Sequence, residues 1–282
     1  MSGPADAPAG RDLAAEVRRA IAFLEHPPTR GLEPTSDLTI DEELIVHSIG
    51  WEPVELVSGL SMVSIPWSAT LWSWGQGAIT PASSAYEMAF GAAIARIHAQ
   101  AAEAGGHGVV GVTVERAVHA SSVDITLTGT AVRPIGAPAV PPDGIFVSDL
   151  SARDFALLTI AGWRPLALVQ GASFVYAPRR SVGAVIQQRT QNVELTNYTE
   201  AMYNARETAM ERMQSMALAV NASGVVEVKV AEGPMPFASH AVAFSAWGTA
   251  VRRSDTPGRR IDPAIVVSLD DPTLLFDAAN LE

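Results

Sequence analysis

The chain repeats itself. Ser36 to Gly59 reads SDLTIDEELIVHSIGWEPVELVSG, and 112 residues later, without a gap, Ser148 to Gly171 reads SDLSARDFALLTIAGWRPLALVQG. Nine of the 24 positions are identical, among them Gly50-Trp51-x-Pro53 and Gly162-Trp163-x-Pro165. Gly108-Val109-Val110 returns as Gly224-Val225-Val226 at a spacing of 116, and Gly129-Thr130-Ala131-Val132-Arg133 as Gly248-Thr249-Ala250-Val251-Arg252 at 119. Three anchors in one order, with slowly growing offsets, mark a tandem duplication. The fold must therefore be one that a unit of roughly 100 residues adopts twice.

Each copy carries the same local signals. Thr39-x-x-Glu42 and Ser151-x-x-Asp154 are capping boxes, strict in the first copy and looser in the second. They open short helices that stop at Gly50 and Gly162, glycine being favoured just past a helix end. Trp-x-Pro then launches a short strand, Val54 to Val57 and Leu166 to Val169, followed by an irregular segment. Long amphipathic helices come next, near Ala82 to Ala104 and Asn197 to Val220, with Phe90, Ile94, Ile97 and Ala101 at helical spacing and Met210, Met213 and Ala217 repeating the last three places. Gly105-Gly106 and Asn221 end them. A hairpin closes each copy, Val109–Val114 with Val123–Thr130 and Val225–Val230 with Val242–Val251. The expected organisation is a tail at 1–35 with a helix from Arg11 to Glu25, a first repeat at 36–133, a stiff Pro-rich linker at 134–147, a second repeat at 148–254, and an extension at 255–282 with a strand near Ile261 to Leu269.

Composition narrows the function. Nineteen Lys and Arg against 30 Asp and Glu leave a net charge of −11, which argues against binding nucleic-acid phosphates or an anionic membrane surface. With no cysteine, disulfides, thiolate zinc sites, iron–sulfur clusters and cysteine nucleophiles are excluded. Met1 to Gly10 lacks the pattern of a secretory signal, and no apolar run reaches the length of a transmembrane helix, so a soluble cytoplasmic protein is expected. Arginine supplies every basic residue except Lys229, a bias that base composition explains.

The second copy's Ala205-Arg206-Glu207-x-Ala209-Met210, its Ala222-Ser223-Gly224-Val225-Val226 and the terminal Gly-Thr-Ala-Val resemble the bacterial YbjQ-like family, labelled heavy-metal-binding. The first copy keeps Gly108-Val109-Val110-Gly111-Val112 and Gly129-Thr130-Ala131-Val132, but has Phe90 where the family commonly carries arginine. The resemblance, to a tandem form, implies an α+β fold: two copies of a dodecin-like unit, each a small antiparallel sheet with a long helix packed across it. It also implies association into rings, and it brings no activity.

Candidate chemistry is sparse. Gly106-x-Gly108-x-x-Gly111 matches the dinucleotide fingerprint in letters, yet it leaves a helix and enters a strand, the reverse of what pyrophosphate binding needs. The six histidines show no short ligand spacing, and His47, His98 and His107 face Thr159, Gln214 and Ser223 in the other copy. His98 with His107 is the weak metal candidate. Met210, Met213 and Met216 could be thioether ligands, but Ile94 and Ile97 stand opposite the first two, so core packing accounts for them. Asp37 and Asp149 recur at helix starts, where capping explains them, and no nucleophile–base motif is present. No catalytic residue and no cofactor is assigned.

Leu56 to Tyr86 holds no charge and contains Trp67, Trp72 and Trp74, half of the six tryptophans. It is either buried or a docking surface for ring contacts, a partner protein or a small apolar ligand. The matching segment carries Arg179 and Arg180, so Trp67, Trp72, Trp74, Arg179 and Arg180 are the candidate contact residues. The sequence thus points to a non-catalytic homo-oligomeric scaffold or binding protein, with heavy-metal binding and small apolar ligand binding as the alternatives.

Overall fold

The computed structural model describes residues 35–66, 77–138, 144–177, 195–235, 238–255, 258, 265–267 and 275–277, all within one compact unit, Thr35–Glu282. The helix expected at Arg11 to Glu25 lies outside the described residues. In chain order the first copy comprises α1 (Ile40–Ser48), β1 (Trp51–Ser64), β2 (Gly77–Ala78), α2 (Thr80–Glu103), β3 (Gly108–Val118) and β4 (Ser122–Pro134). A short strand, β5 (Phe146–Val147), emerges from the expected linker. The second copy comprises α3 (Ala152–Ile160), β6 (Trp163–Tyr176), α4 (Thr196–Ala219), β7 (Gly224–Met235) and β8 (Ala238–Arg253). A two-stranded ribbon follows, β9 (Ile265–Val267) with β10 (Leu275–Asp277), placing a strand inside the span expected at Ile261 to Leu269.

The fold is α+β, two sheet-plus-helix units in tandem, and the duplication holds residue by residue. Thr39 caps α1 by the full box, its Oγ accepting the Glu42 N–H while its own N–H donates to the Glu42 carboxylate at 3.0 Å. Ser151 caps α3 through the Asp154 N–H. Gly50 and Gly162 follow these helices with φ of +82° and +78°, and Asn221 follows α4 at φ +55°. Even the irregularities recur. The ladder slips at Pro53/Glu55 and at Pro165/Ala167, where proline has no N–H to give. It slips again at Val110/Thr113 and Val226/Lys229, bulges whose left-handed residues are Gly111 and Glu227.

The sheets run β1-β4-β3-β5 and β2-β6-β8-β7. Each long helix lies on one face of its own sheet through a stripe of small residues. In α2 the buried stripe is Ala85, Ala89, Ala93, Ile97 and Ala101; in α4 it is Ala201, Ala205, Ala209, Met213 and Ala217, each 116 residues later. Small side chains let the helix approach so closely that the strand beneath must be glycine. A Cβ on Gly59 would collide with the Ala93 carbonyl, and one on Gly171 with that of Ala209.

β1 and β6 are 14 residues long, not the short strands expected from Val54–Val57 and Leu166–Val169. The reason is that both faces of these strands carry apolar residues, which hides the alternation that would have shown their length. In β6, Val169 and Val175 face α4, while Leu168, Ala172, Phe174 and Tyr176 join the core built around α2. The two copies also exchange strands: β2 pairs with the edge of β6, and β5 runs parallel to the edge of β3.

Gly171→Ala is expected to lower the stability of the second unit by about 1–3 kcal/mol, because a helix backbone rather than a flexible side chain stands in the way. Thermal melting of the variant checks this; an unchanged melting temperature would mean that the helix is free to lift.

Candidate functional site

The two sheets are alike, but their outer faces are not used alike. On the second sheet the face turned away from α4 is closed by the first copy: Ala172 and Phe174 are 0% exposed, and Leu168, Trp247, Ala241 and Ala243 lie in the same core as Ile79, Tyr86 and Phe90. Tyr86 and Phe174 meet with ring centroids 6.0 Å apart, and burial pushes the Tyr86 phenol above its ordinary range. Arg212 of α4 donates to the Ala172 carbonyl at 2.6 Å and pairs with Glu87 of α2 at 3.0 Å, tying the copies at the rim. On the first sheet the equivalent positions are open to solvent, with Leu60 61% and Met62 70% exposed and Leu56 beside them. Arg96, the counterpart of Arg212, bonds the Leu60 carbonyl. Among the described residues the uncharged stretch is therefore divided: its first part alternates between this open face and core residues such as Val57, and its end adds Ile79, Ala82, Ala85 and Tyr86 to the core.

The Ser-Asp-Leu motif stitches the copies together. Ser148 and Leu150 extend β5 along β3: Ser148 N–H donates to Val109 O at 2.9 Å, Val112 N–H to Ser148 O at 3.0 Å, and Gly111 N–H to Leu150 O at 2.8 Å. Between them Asp149 turns into its own sheet. Its N–H donates to Thr249 Oγ1 at 3.1 Å, and the Thr249 hydroxyl donates to Asp149 Oδ1 at 2.7 Å. Lys229 Nζ reaches the fully buried Asp149 carboxylate at 3.2 Å and Glu227 at 3.0 Å. Partial burial works to lower the Lys229 pKa, but the two carboxylates outweigh it and hold the ammonium above its ordinary range. Capping, the reading given to Asp149 from sequence, is corrected here: Ser151 is the cap, and Asp149 is a buried anchor. Base composition, the reading given to Lys229 from sequence, is corrected too: the side chain pairs with Asp149, 80 residues away along the chain. In the first copy Asp37 N–H makes the matching bond to Thr130 Oγ1 at 2.9 Å, but Thr113 stands where the second copy has Lys229.

A cleft of about 770 Å³ lies where the copies meet, walled by Trp51, Phe146, Phe155 and Trp163 and rimmed by His107 and Arg252. Trp51 packs edge-on against Phe146 and Phe155, at centroid distances of 5.8 and 5.3 Å. His107 donates from Nε2 to the Pro138 carbonyl at 2.6 Å, and His98 is half-buried on α2, its pKa lowered by burial. Among the described residues no group of three or more His, Asp or Glu stands together as a metal site, so these residues do not fit the metal that the YbjQ-like label implies. Met213 is core, Met210 packs against that core, and Met216 is 40% exposed. Gly106 and Gly108 pack closely, the latter beneath the Phe146 ring, and Gly111 turns the bulge in β3, so the glycine run is structural. Trp67, Trp72, Trp74, Arg179 and Arg180 lie outside the described residues. None of the described helices is long and apolar enough to cross a membrane.

Comparison with known proteins follows the same lines. The family described as "Putative heavy-metal-binding" matches residues 178–254. A UPF0145 protein of Halorubrum lacusprofundi is 40% identical over 76 residues, covering 26% of this chain and 71% of its own. The encapsulin nanocompartment protein Rv1762c of Mycobacterium tuberculosis is 34% identical over 244 residues, covering 84% of this chain and 92% of its own length. The chain belongs to the two-copy YbjQ-like family. The family profile falls on the second copy, and the long relative spans both. No solved structure matches the chain significantly.

Within this family member the Asp149 junction has a clear pH signature. A lysine pKa raised in the folded state contributes stability that is whole below pH 10.5 and fades as the pH climbs through the folded value. Lys229→Arg, which stays charged, is expected to keep its melting temperature better than the wild type above pH 10.5 and to match it at pH 7. Parallel melting curves test this; coincident curves at alkaline pH would show that the ammonium contributes nothing.

Proposed function

We propose that the protein is a non-catalytic scaffold that works as a closed homo-oligomer in the cytoplasm, with the second repeat serving as the assembly module and the first as its docking base. One observation carries this reading: the first sheet presents an open face of Leu56, Leu60 and Met62 where its twin buries the corresponding residues inside the chain. An exposed apolar patch on a strand face calls for a partner, and a self-duplicated chain already contains a surface of matching design. The Mycobacterium tuberculosis relative is known as an encapsulin nanocompartment protein, which supports an assembling role here. Trp67, Trp72, Trp74, Arg179 and Arg180 belong to this reading as contact residues on the ground of sequence, as do the repeat boundaries at 36–133 and 148–254. The aromatic cleft favours a second reading, a small apolar ligand held between the copies, because its size and apolar walls suit one.

Light scattering on the purified protein is expected to give a defined multiple of 29.7 kDa that persists on dilution to about the micromolar range. A monodisperse 29.7 kDa species would overturn the scaffold reading.

A further inference from the structure

We infer that the cleft between the copies binds a small organic acid, its carboxylate held by Arg252 and Arg164 and its flat apolar body lying among Trp51, Phe146 and Trp163. The inference rests on the second reading above, a small apolar ligand held between the copies, and gives that ligand a charge. At the end of the first sheet Glu52 of β1 and Arg133 of β4 are cross-strand partners, and the Arg133 guanidinium donates twice to Glu52 Oε1, at 2.7 and 3.2 Å. The same register in the second sheet sets Arg164 against Arg252. The acidic half of the pair has become a second cation, and both arginines line the cleft. Like charges directly opposite on an antiparallel pair are destabilising. Both residues are half-buried, where salt screens them less than at an open surface. Among the described residues Arg252 has no ion-pair partner to offset that repulsion.

The surroundings suit the same molecule. The chain carries a net charge of −11, yet no aspartate or glutamate stands among the described residues that line the cleft. His107 at the rim is already engaged with the Pro138 carbonyl, which leaves the arginines as the cationic groups. Arg253 follows Arg252 along β8, its guanidinium 5.2 Å from the centre of the Trp163 ring, and adds to the positive field at that end. A carboxylate entering there takes the role that Glu52 has in the first copy. Guanidinium suits the exchange, because its planar fork pairs with a carboxylate through two parallel hydrogen bonds. The remaining wall is aromatic, and the volume of about 770 Å³ lies within the range usual for small-ligand sites. A purely apolar ligand would leave the arginines repelling each other, and a bare inorganic anion would leave the aromatic walls to water. An acid with an apolar body satisfies both.

Isothermal titration calorimetry with 2-naphthoate and its uncharged analogue 2-naphthamide separates charge from apolar fit, and inorganic phosphate supplies charge without the body. The wild type is expected to bind 2-naphthoate about tenfold more tightly than 2-naphthamide, the scale of one charge-assisted hydrogen bond, and phosphate more weakly than 2-naphthoate. Arg252→Gln is expected to bring 2-naphthoate down to the level of 2-naphthamide and to leave 2-naphthamide binding as it is. Arg164→Glu gives Arg252 the partner that Glu52 gives Arg133, and the same loss is expected; it stands in should Arg252→Gln fail to fold, which melting curves check. A wild type that binds acid and amide equally would overturn the carboxylate site while leaving the apolar-ligand reading intact. Phosphate bound as tightly as 2-naphthoate would overturn the role of the aromatic walls, and undiminished 2-naphthoate binding by folded variants would overturn that of the arginines. Binding of neither naphthalene compound would remove the apolar-ligand reading, and this site with it.

Discussion

An antiparallel sheet has two faces, and in this fold each copy owns only one long helix. The helix settles tightly on one face because the alanine stripe and the glycine beneath it bring the backbones together. The second face of every sheet must then find its cover elsewhere or stay open. In the second copy the cover is the first copy, and the reward is a continuous core running from Val57 and Ile125 through Tyr86 and Phe90 to Phe174 and Trp247. Burial on that scale contributes about 25 cal/mol for each Å² of apolar surface removed from water, so the fusion stabilises both repeats at once. In the first copy the helix α1 shields one end of the outer face, where Val46 packs on Val132, and the rest faces solvent.

The junction between the copies combines this apolar cover with one polar anchor. Asp149 is buried, so its charge would be costly without partners; the Thr249 hydroxyl and the Lys229 ammonium supply them. The same motif thereby does two jobs, pairing along the edge of β3 and fastening to β8. Divergence of the duplicated halves follows from that division. Positions that meet the other copy changed, as from Met62 to Phe174 and from Leu60 to Ala172, while positions that build the unit, such as Gly59 and Gly171 or Thr130 and Thr249, stayed the same.

Much of the fold is legible in the sequence because the two copies check each other. The capping boxes, the glycine helix stops and the long helices fall where the signals place them, since each depends on a few local residues. Strand length was not legible. β1 shows Leu56, Leu60 and Met62 alternating with Val57 and Val63, apolar on both sides, and periodicity cannot resolve a strand whose faces are alike. The exchange of β2 and β5 between sheets was also hidden, because two-residue strands leave no pattern and their partners are distant in sequence. The site was legible only in part. An uncharged stretch was visible in the sequence, but which of its residues are buried depends on how the copies pack. The pairing of Asp149 with Lys229 spans 80 residues and is a product of folding.

Direction is the last consequence of this arrangement. Within the chain β5 edges β3, and the corresponding edge of β7 belongs to no strand of the described chain, so the relation between copies is a head-to-tail step and not a two-fold one. A step of that kind, repeated, yields a ring if its rotation closes and a filament if it does not. Charge bears on which copies can approach at all: at −11 per chain, neighbours repel one another over distances comparable to the screening length of about 8 Å at physiological salt. The open face carries Leu56, Leu60 and Met62 along β1, with Asp124, paired to His119, and the exposed Glu115 on the next two strands.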